Sequence, residues 1–284
     1  MSHECDWPPQ ATTLPRATFS HLDSSQSSDA IDRQVRERLA AGLPLYGINA
    51  GLLAALQPDL IITQVQCDVC AIRYQEVLNL IHSESRLAQT QILALGPTTL
   101  DEILDDVLRI GEAAGVREAA ANFHRRLVSR VAAVSGKTAN TLQAARPSVV
   151  CIEWTSPIMT AGNWTPRLIE LAGGVSALAE SGQHSRYVDW EQILALDPDV
   201  LLIVPCGFGL ARSLQEAESL RDLPGWEQLS AVRTHRVFVL DGNALFNRSG
   251  PRIVDSLEVL SHLISPGLFS PPKLTFESWL LLAG

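Results

Sequence analysis

Cys67-Asp68-Val69-Cys70 is the segment of this chain whose residue types and spacing most directly offer chemistry. Two thiols three residues apart supply half of a tetrahedral zinc or iron site, and a structural site needs four ligands. His3 and Cys5 are the candidates to complete it. The same spacing at a helix start is that of a redox dithiol, although the usual flanking aromatic and proline are missing. The plain alternative is a pair of small thiols packed where a strand ends. A second set of residues suits binding rather than bond-making. Gln66 and Cys67 follow one apolar run. Trp154, Asn163 and Trp164 follow another, Phe208 a third, and Asn243, Phe246 and Arg248 a fourth. Aromatic rings with a few amides and one arginine fit a large, flat, partly polar ligand. Each ring could equally be core, and it is their common position after apolar runs that favours a ligand. Glu153 has no nucleophile or second acid paired with it. No G-x-S-x-G, P-loop or H-E-x-x-H motif is present, so the residues point to binding and not to catalysis.

The apolar runs themselves are organised by an internal match. Pro58-Asp59-Leu60-Ile61-Ile62 and Pro198-Asp199-Val200-Leu201-Leu202-Ile203 lie 140 residues apart, each preceded by a short helical segment ending in Leu56 or Leu196. Pro stops the helix, and the short apolar run that follows suits a parallel strand buried on both faces. The spacing is far too long for a solenoid and indicates two similar α/β lobes. In such sheets ligands bind beyond the carboxyl ends of the strands, which is where the second set of residues stands. The first lobe is expected over 1–98, with strands at 60–63 and 92–95. Linking helices fill 99–146. The first of these opens on a Thr99/Glu102 capping box. The second runs past Gly136 to about Ala145, long enough to join the lobes as a strut. The second lobe occupies 147–266, with strands at 149–153, 200–204 and 236–240 and a closing helix over 251–264. The tail 267–284, Pro-rich and then apolar, has no place in this scheme. Asp105-Asp106 and the pair Glu216 and Glu218 read as solvated helix faces.

Bulk properties narrow the function further. Hydrophobic residues are 46% and charged residues 19% of the 284, a globular balance. A net charge of -9 argues against nucleic acid or an anionic membrane as partner. No apolar run reaches about 18 residues, so membrane insertion is not expected. Residues 1–9 lack a basic start and an apolar stretch, and the five cysteines are an odd number. Together these read as a cytoplasmic monomer, or as a periplasmic protein if the sequence begins late.

Several segments carry a resemblance to a known family. They are the two Leu-x-Pro-Asp strands, Glu153-Trp154-Thr155-Ser156-Pro157 with Thr160-Ala161-Gly162-Asn163-Trp164, and Leu171-Ala172-Gly173-Gly174. Asp241-Gly242-Asn243 and Arg248-Ser249-Gly250-Pro251-Arg252 belong with them. Over about residues 1–266 the chain resembles the iron-chelate and cobalamin substrate-binding proteins of ABC importers. Ser2-His3-Glu4-Cys5-Asp6 and Cys67-Asp68-Val69-Cys70-Ala71 look like its signal-less, cobalamin-binding branch. The resemblance implies a class III periplasmic-binding-protein-like fold, two Rossmann-like lobes joined by a single long helix and closing a cleft on a corrinoid or an iron chelate. It also implies ligand contacts from Trp154 and Trp164, and an ABC permease as partner if an exported form exists. Two departures stand out. Family members open with a strand and a Pro-Ser-Ala-Thr-Glu-like turn that this sequence lacks, leaving the first lobe N-terminally shortened. No pair of exposed docking acids, one per lobe, can be picked out. The alternative reading is a cytosolic metal- or thiol-dependent protein using Cys67 and Cys70.

Overall fold

Two helices of this protein end in the same unusual way. Ala50–Leu56 stops at Gln57 with φ 44°, and Trp190–Leu196 stops at Asp197 with φ 46°. A non-glycine residue in the left-handed region is uncommon. It lets the chain turn sharply into Pro58-Asp59 and Pro198-Asp199, and a strand follows each time. The internal match in the sequence is thus a shared helix–turn–strand device. In the second copy Asp199 also ties down its neighbour, since its carboxylate accepts from the Ser148 N–H at 2.7 Å and from its hydroxyl at 2.9 Å.

The computed structural model describes residues 1–66, 69, 72–140, 146–274 and 276–282. It divides into two compact units, Met1–Gly96 with Glu112–Val116, and Pro97–Gly111 with Arg117–Gly284. The first unit contains β1 (Thr18–Ser20), α1 (Ser28–Ala40), β2 (Tyr46–Ile48), α2 (Ala50–Leu56), β3 (Leu60–Gln64), α3 (Tyr74–Ser83) and β4 (Gln91–Leu95). β3 and β4 pair in parallel, as the two apolar runs predict. Burial of β3 on both faces is not found, because Ile62 is 46% exposed. A two-stranded sheet has too few neighbours to cover both sides. β1 and β2 form an antiparallel pair that sequence reading misses. These strands are three residues long, and one is centred on glycine. The Phe19 ring lies over Gly47, where a Cβ would collide with it, so this pair is built around a missing side chain.

The second unit begins with α4 (Leu100–Ala113), whose last two residues fall in the first unit, and α5 (Arg117–Thr138). Thr99 and Glu102 do make the reciprocal cap of α4, at 3.3 and 3.0 Å. α5 ends at Thr138, short of the expected Ala145, and residues 141–145 lie outside the described set. Then follow β5 (Ser148–Thr155), β6 (Ile158–Thr160), α6 (Thr165–Leu171), β7 (Val175–Ser176), β8 (Arg186–Tyr187), α7 (Trp190–Leu196), β9 (Val200–Ile203), α8 (Leu210–Glu218), α9 (Ser230–Arg233), β10 (Val237–Leu240), α10 (Ile253–Ile264) and β11 (Trp279–Leu281). Among the described residues the sheet runs β11-β10-β9-β5-β6-β8, with β7 also on β5. β5, β9 and β10 are parallel.

Residue parity shows why these central strands read as unbroken apolar runs. Val149, Cys151, Val200 and Leu202 enter one core with Leu127 of α5 and Leu257 and Leu260 of α10. Val150, Ile152, Leu201 and Ile203 enter a second core with Trp190, Ile193 and Trp226. Alternate side chains point to opposite faces, and both faces are covered. Part of the tail 267–284 packs on this sheet. β11 pairs antiparallel with β10, and Trp279 meets Phe238 edge-on at 5.9 Å. Three residues cannot announce a strand in a Pro-rich context; a sheet edge in need of a partner decides it.

α4 also corrects a reading of charge. Asp105 is exposed, but Asp106 is only 5% exposed, and one of its carboxylate oxygens has no partner. Burial first of all pushes its pKa above 3.8, and Glu102 and Asp105 add to this. Arg109, at 2.6 Å and half exposed, does not cancel it. A folded-state value raised above the unfolded one means that stability present below the ordinary carboxyl range is lost as pH rises through the raised value. Asp106→Asn is therefore expected to melt higher than the parent at neutral pH. That gain should shrink toward zero as pH falls to about 4, the ordinary carboxyl range. Equal melting temperatures at neutral pH would contradict desolvation of this carboxylate.

Candidate functional site

The carboxyl ends of β5, β9 and β10 lie side by side in the second unit, and each end is shaped by a local device. At β5 the ladder to β6 pairs Ile152 with Thr160 and Trp154 with Met159, so Glu153 is an extra residue. Such a bulge re-aims the side chain that follows it, and Trp154 is left partly exposed. At β9 the chain passes Pro205-Cys206 into Gly207, φ 76°, and on to Phe208. The Phe208 carbonyl accepts from the Asn243 N–H at 3.0 Å and from the Ser213 hydroxyl at 3.2 Å. At β10 the Asp241 carboxylate accepts from the Ala244 N–H at 2.7 Å and caps a π-helical turn, Gly242–Phe246. Gly242 sits so close to the Pro205 carbonyl that no Cβ fits. The β9 and β10 exits are thereby locked together.

Trp154 and Phe208 are in ring contact, centroids 5.4 Å apart and planes at 40°. The Arg212 guanidinium also lies over the Phe208 ring, 4.7 Å from its centre. Arg212 donates to Glu216 from Nε at 3.1 Å and Nη2 at 2.8 Å, and the Thr155 hydroxyl donates to the other Glu216 oxygen at 3.2 Å. With its side chain only 10% exposed, Glu216 is not on a solvated face as its sequence context implies. The legible signal was the Arg212/Glu216 spacing of four on a helix opened by Gly-Phe-Gly, which points the two side chains to one face.

The residues singled out in the sequence separate into groups. Trp154, Asn243 and Arg248 are partly exposed at or just after the strand exits of the second unit, Asn163 is partly exposed after β6, and Asn243 bonds Arg248 through its side chain. Asn163 has φ 51°; its N–H donates to the Gln183 carbonyl at 2.6 Å, and its buried Oδ1 has no partner. Trp164 and Phe246 are 5% and 1% exposed and belong to the core, where the Trp164 indole N–H donates to the Phe246 carbonyl at 2.9 Å. Phe208, at 6%, is a backing ring. Gln66 is partly exposed beyond β3 in the first unit.

Cys67 and Cys70 lie outside the described residues. Among the described residues no cluster of three or more His, Cys, Asp or Glu forms a metal site. His3 shares a hydrogen bond with the Thr18 hydroxyl at 2.8 Å and packs on Tyr46, while Cys5 is a partly exposed free thiol. Cys151 is fully enclosed, and burial, then Glu153, drives its thiol pKa well up, which makes it inert. A cavity of about 380 Å³ opens elsewhere, beside Thr138, Arg146, Glu170 and Val175. It sits at the amino end of β5, away from the ringed rim. No helix among the described residues is long and apolar enough to cross a membrane.

Comparison with known proteins agrees with this architecture. A family model described as periplasmic binding protein matches residues 46–244. YvrC of Bacillus subtilis, an uncharacterized ABC transporter substrate-binding lipoprotein, is 28% identical over 176 residues. The match covers 60% of this chain and 52% of YvrC, so the chain spans about half the length of that curated relative. Among solved structures, the periplasmic heme-binding protein BhuT in complex with two hemes aligns with a TM-score of 0.67. Its identity is 21%, over 93% of this chain and 87% of BhuT. The periplasmic vitamin B12 binding protein BtuF of Vibrio cholerae aligns with a TM-score of 0.63 at 23% identity, covering 92% and 85%. At such identities these structures establish the fold.

Proposed function

Because the chain belongs to the periplasmic binding protein family, we infer that it is the substrate-binding component of an ABC importer and takes a flat tetrapyrrole-like metal chelate, a corrinoid first and a heme or other iron chelate second. The observation that carries this is Trp154, a large ring left partly exposed at a bulged strand end and backed by Phe208. An exposed aromatic held from behind presents a broad apolar face at little cost in conformational freedom. Asn243 and Arg248, which follow β10, add groups able to bond the polar periphery of such a ligand. Neighbours named for heme and for vitamin B12 support this ligand class. A binding role, not catalysis, follows, and the partner is the importer's permease.

Titration of the purified chain with cyanocobalamin and, separately, hemin tests the proposal. Saturable quenching of tryptophan emission is expected, together with a shift in the ligand's visible bands and a raised melting temperature. Failure of both ligands to produce any of the three at concentrations of about 100 µM, which corresponds to binding weaker than roughly 5.5 kcal/mol, would overturn the assignment of the ligand class.

A further inference from the structure

Glu216 and Arg212 form a support behind the ligand-facing ring, and nothing in the proposed function assigns them a role. Five residues close a loop. Glu216 holds Arg212 through two hydrogen bonds to one oxygen and holds Thr155 through the other. The Arg212 guanidinium lies over the Phe208 ring, Phe208 meets Trp154, and Trp154 is bonded in the chain to Thr155. The side chain of Glu216 is 10% exposed and that of Arg212 28% exposed. A charge pair so enclosed keeps its geometry better than an exposed one, and a guanidinium on a ring face fixes the ring as well as attracting it. Phe208 is fixed from below too, since its backbone carbonyl takes two hydrogen bonds. Trp154 has the opposite situation. It stands on a bulge, partly exposed, and its χ angles are not set by a surrounding core.

We propose that Arg212 and Glu216 are positioning residues that set the ring plane of Trp154 through Phe208 and Thr155, so that the binding face exists before the ligand arrives. This rests on the ligand reading above for its purpose, but not for its geometry. A preformed face spares the ligand the cost of ordering the side chain. It also gives Arg212 a fixed internal partner in Glu216.

The test uses Arg212→Met, Glu216→Gln and Arg212→Lys in the full chain. The Trp154 contribution to near-ultraviolet circular dichroism is defined first, as the difference between the protein and Trp154→Phe. In Arg212→Met and Glu216→Gln this contribution should fall by half or more, with cyanocobalamin or hemin bound about three- to tenfold more weakly, a change under about 1.4 kcal/mol. Arg212→Lys, which keeps the cation but loses the fork, should restore part of both. Glu216→Gln keeps the side-chain volume and guards against a fold defect. An unchanged Trp154 signature in Arg212→Met and Glu216→Gln overturns the proposal. If the parent binds neither ligand, the ligand reading fails, and the circular dichroism alone still decides the positioning role.

Discussion

Trp164→Ala is expected to cost about 3–5 kcal/mol of stability, the range for removing a large buried ring from a core. The indole is 5% exposed and packs in the core that α5, α6 and α10 share with the sheet. Its N–H donates to the buried Phe246 carbonyl at 2.9 Å. Losing it adds an unsatisfied acceptor to the cavity, and such a group is costly where water cannot reach it. For a unit of this size each kcal/mol moves the melting temperature by about 2–4 °C, so a fall on the order of 10 °C should be seen in a thermal melt. Trp164→Phe, which keeps most of the volume but not the donor, should recover more than half of the loss. A shift of less than about 1 kcal/mol in Trp164→Ala, the ordinary size of a surface effect, would show that the ring is not part of the core.

For Trp154→Ala the expected outcome is the reverse. This ring is partly exposed and rests on one aromatic neighbour. Stability should change by less than about 1 kcal/mol. Affinity for cyanocobalamin or hemin should fall about ten- to a hundredfold, that is by about 1.4–2.8 kcal/mol, because the ligand loses its main apolar face. Trp154→Phe should lose less than tenfold. Titration of the three proteins side by side measures this. Unchanged affinity in Trp154→Ala, with the parent binding, would move the ligand away from the end of β5.

These two tryptophans stand ten residues apart, and the sequence treats them alike, placing both after the apolar run 149–152. Both sit in the segments that carry the family resemblance. What separates them is a bulge at Glu153 and a carbonyl 82 positions further on, neither of which leaves a trace in local residue types. The same holds for Asp106 and Glu216, acids that look solvated beside Asp105 and Glu218. Whether a charged side chain on a helix meets water depends on what packs over that face. For Glu216 it is the Thr155 strand end, 61 residues earlier in the chain. Short strands escape for a related reason. β1, β2 and β11 have three residues each, too few for alternation to show.

The chemistry that first draws attention, Cys67 and Cys70, falls outside the described residues, whereas the aromatic rim can be followed atom by atom. The sequence by itself determined the parallel strands β5, β9 and β10, because a strand covered on both faces must be apolar at every position. It determined the repeated helix–turn–strand, because Pro-Asp after a helix leaves the backbone few options. It placed the candidate site at the carboxyl ends of those strands. The tertiary structure alone decided which rings are exposed there and which acids are enclosed. Burial is conferred by neighbours remote in the chain, and residue type and spacing do not encode which neighbours arrive.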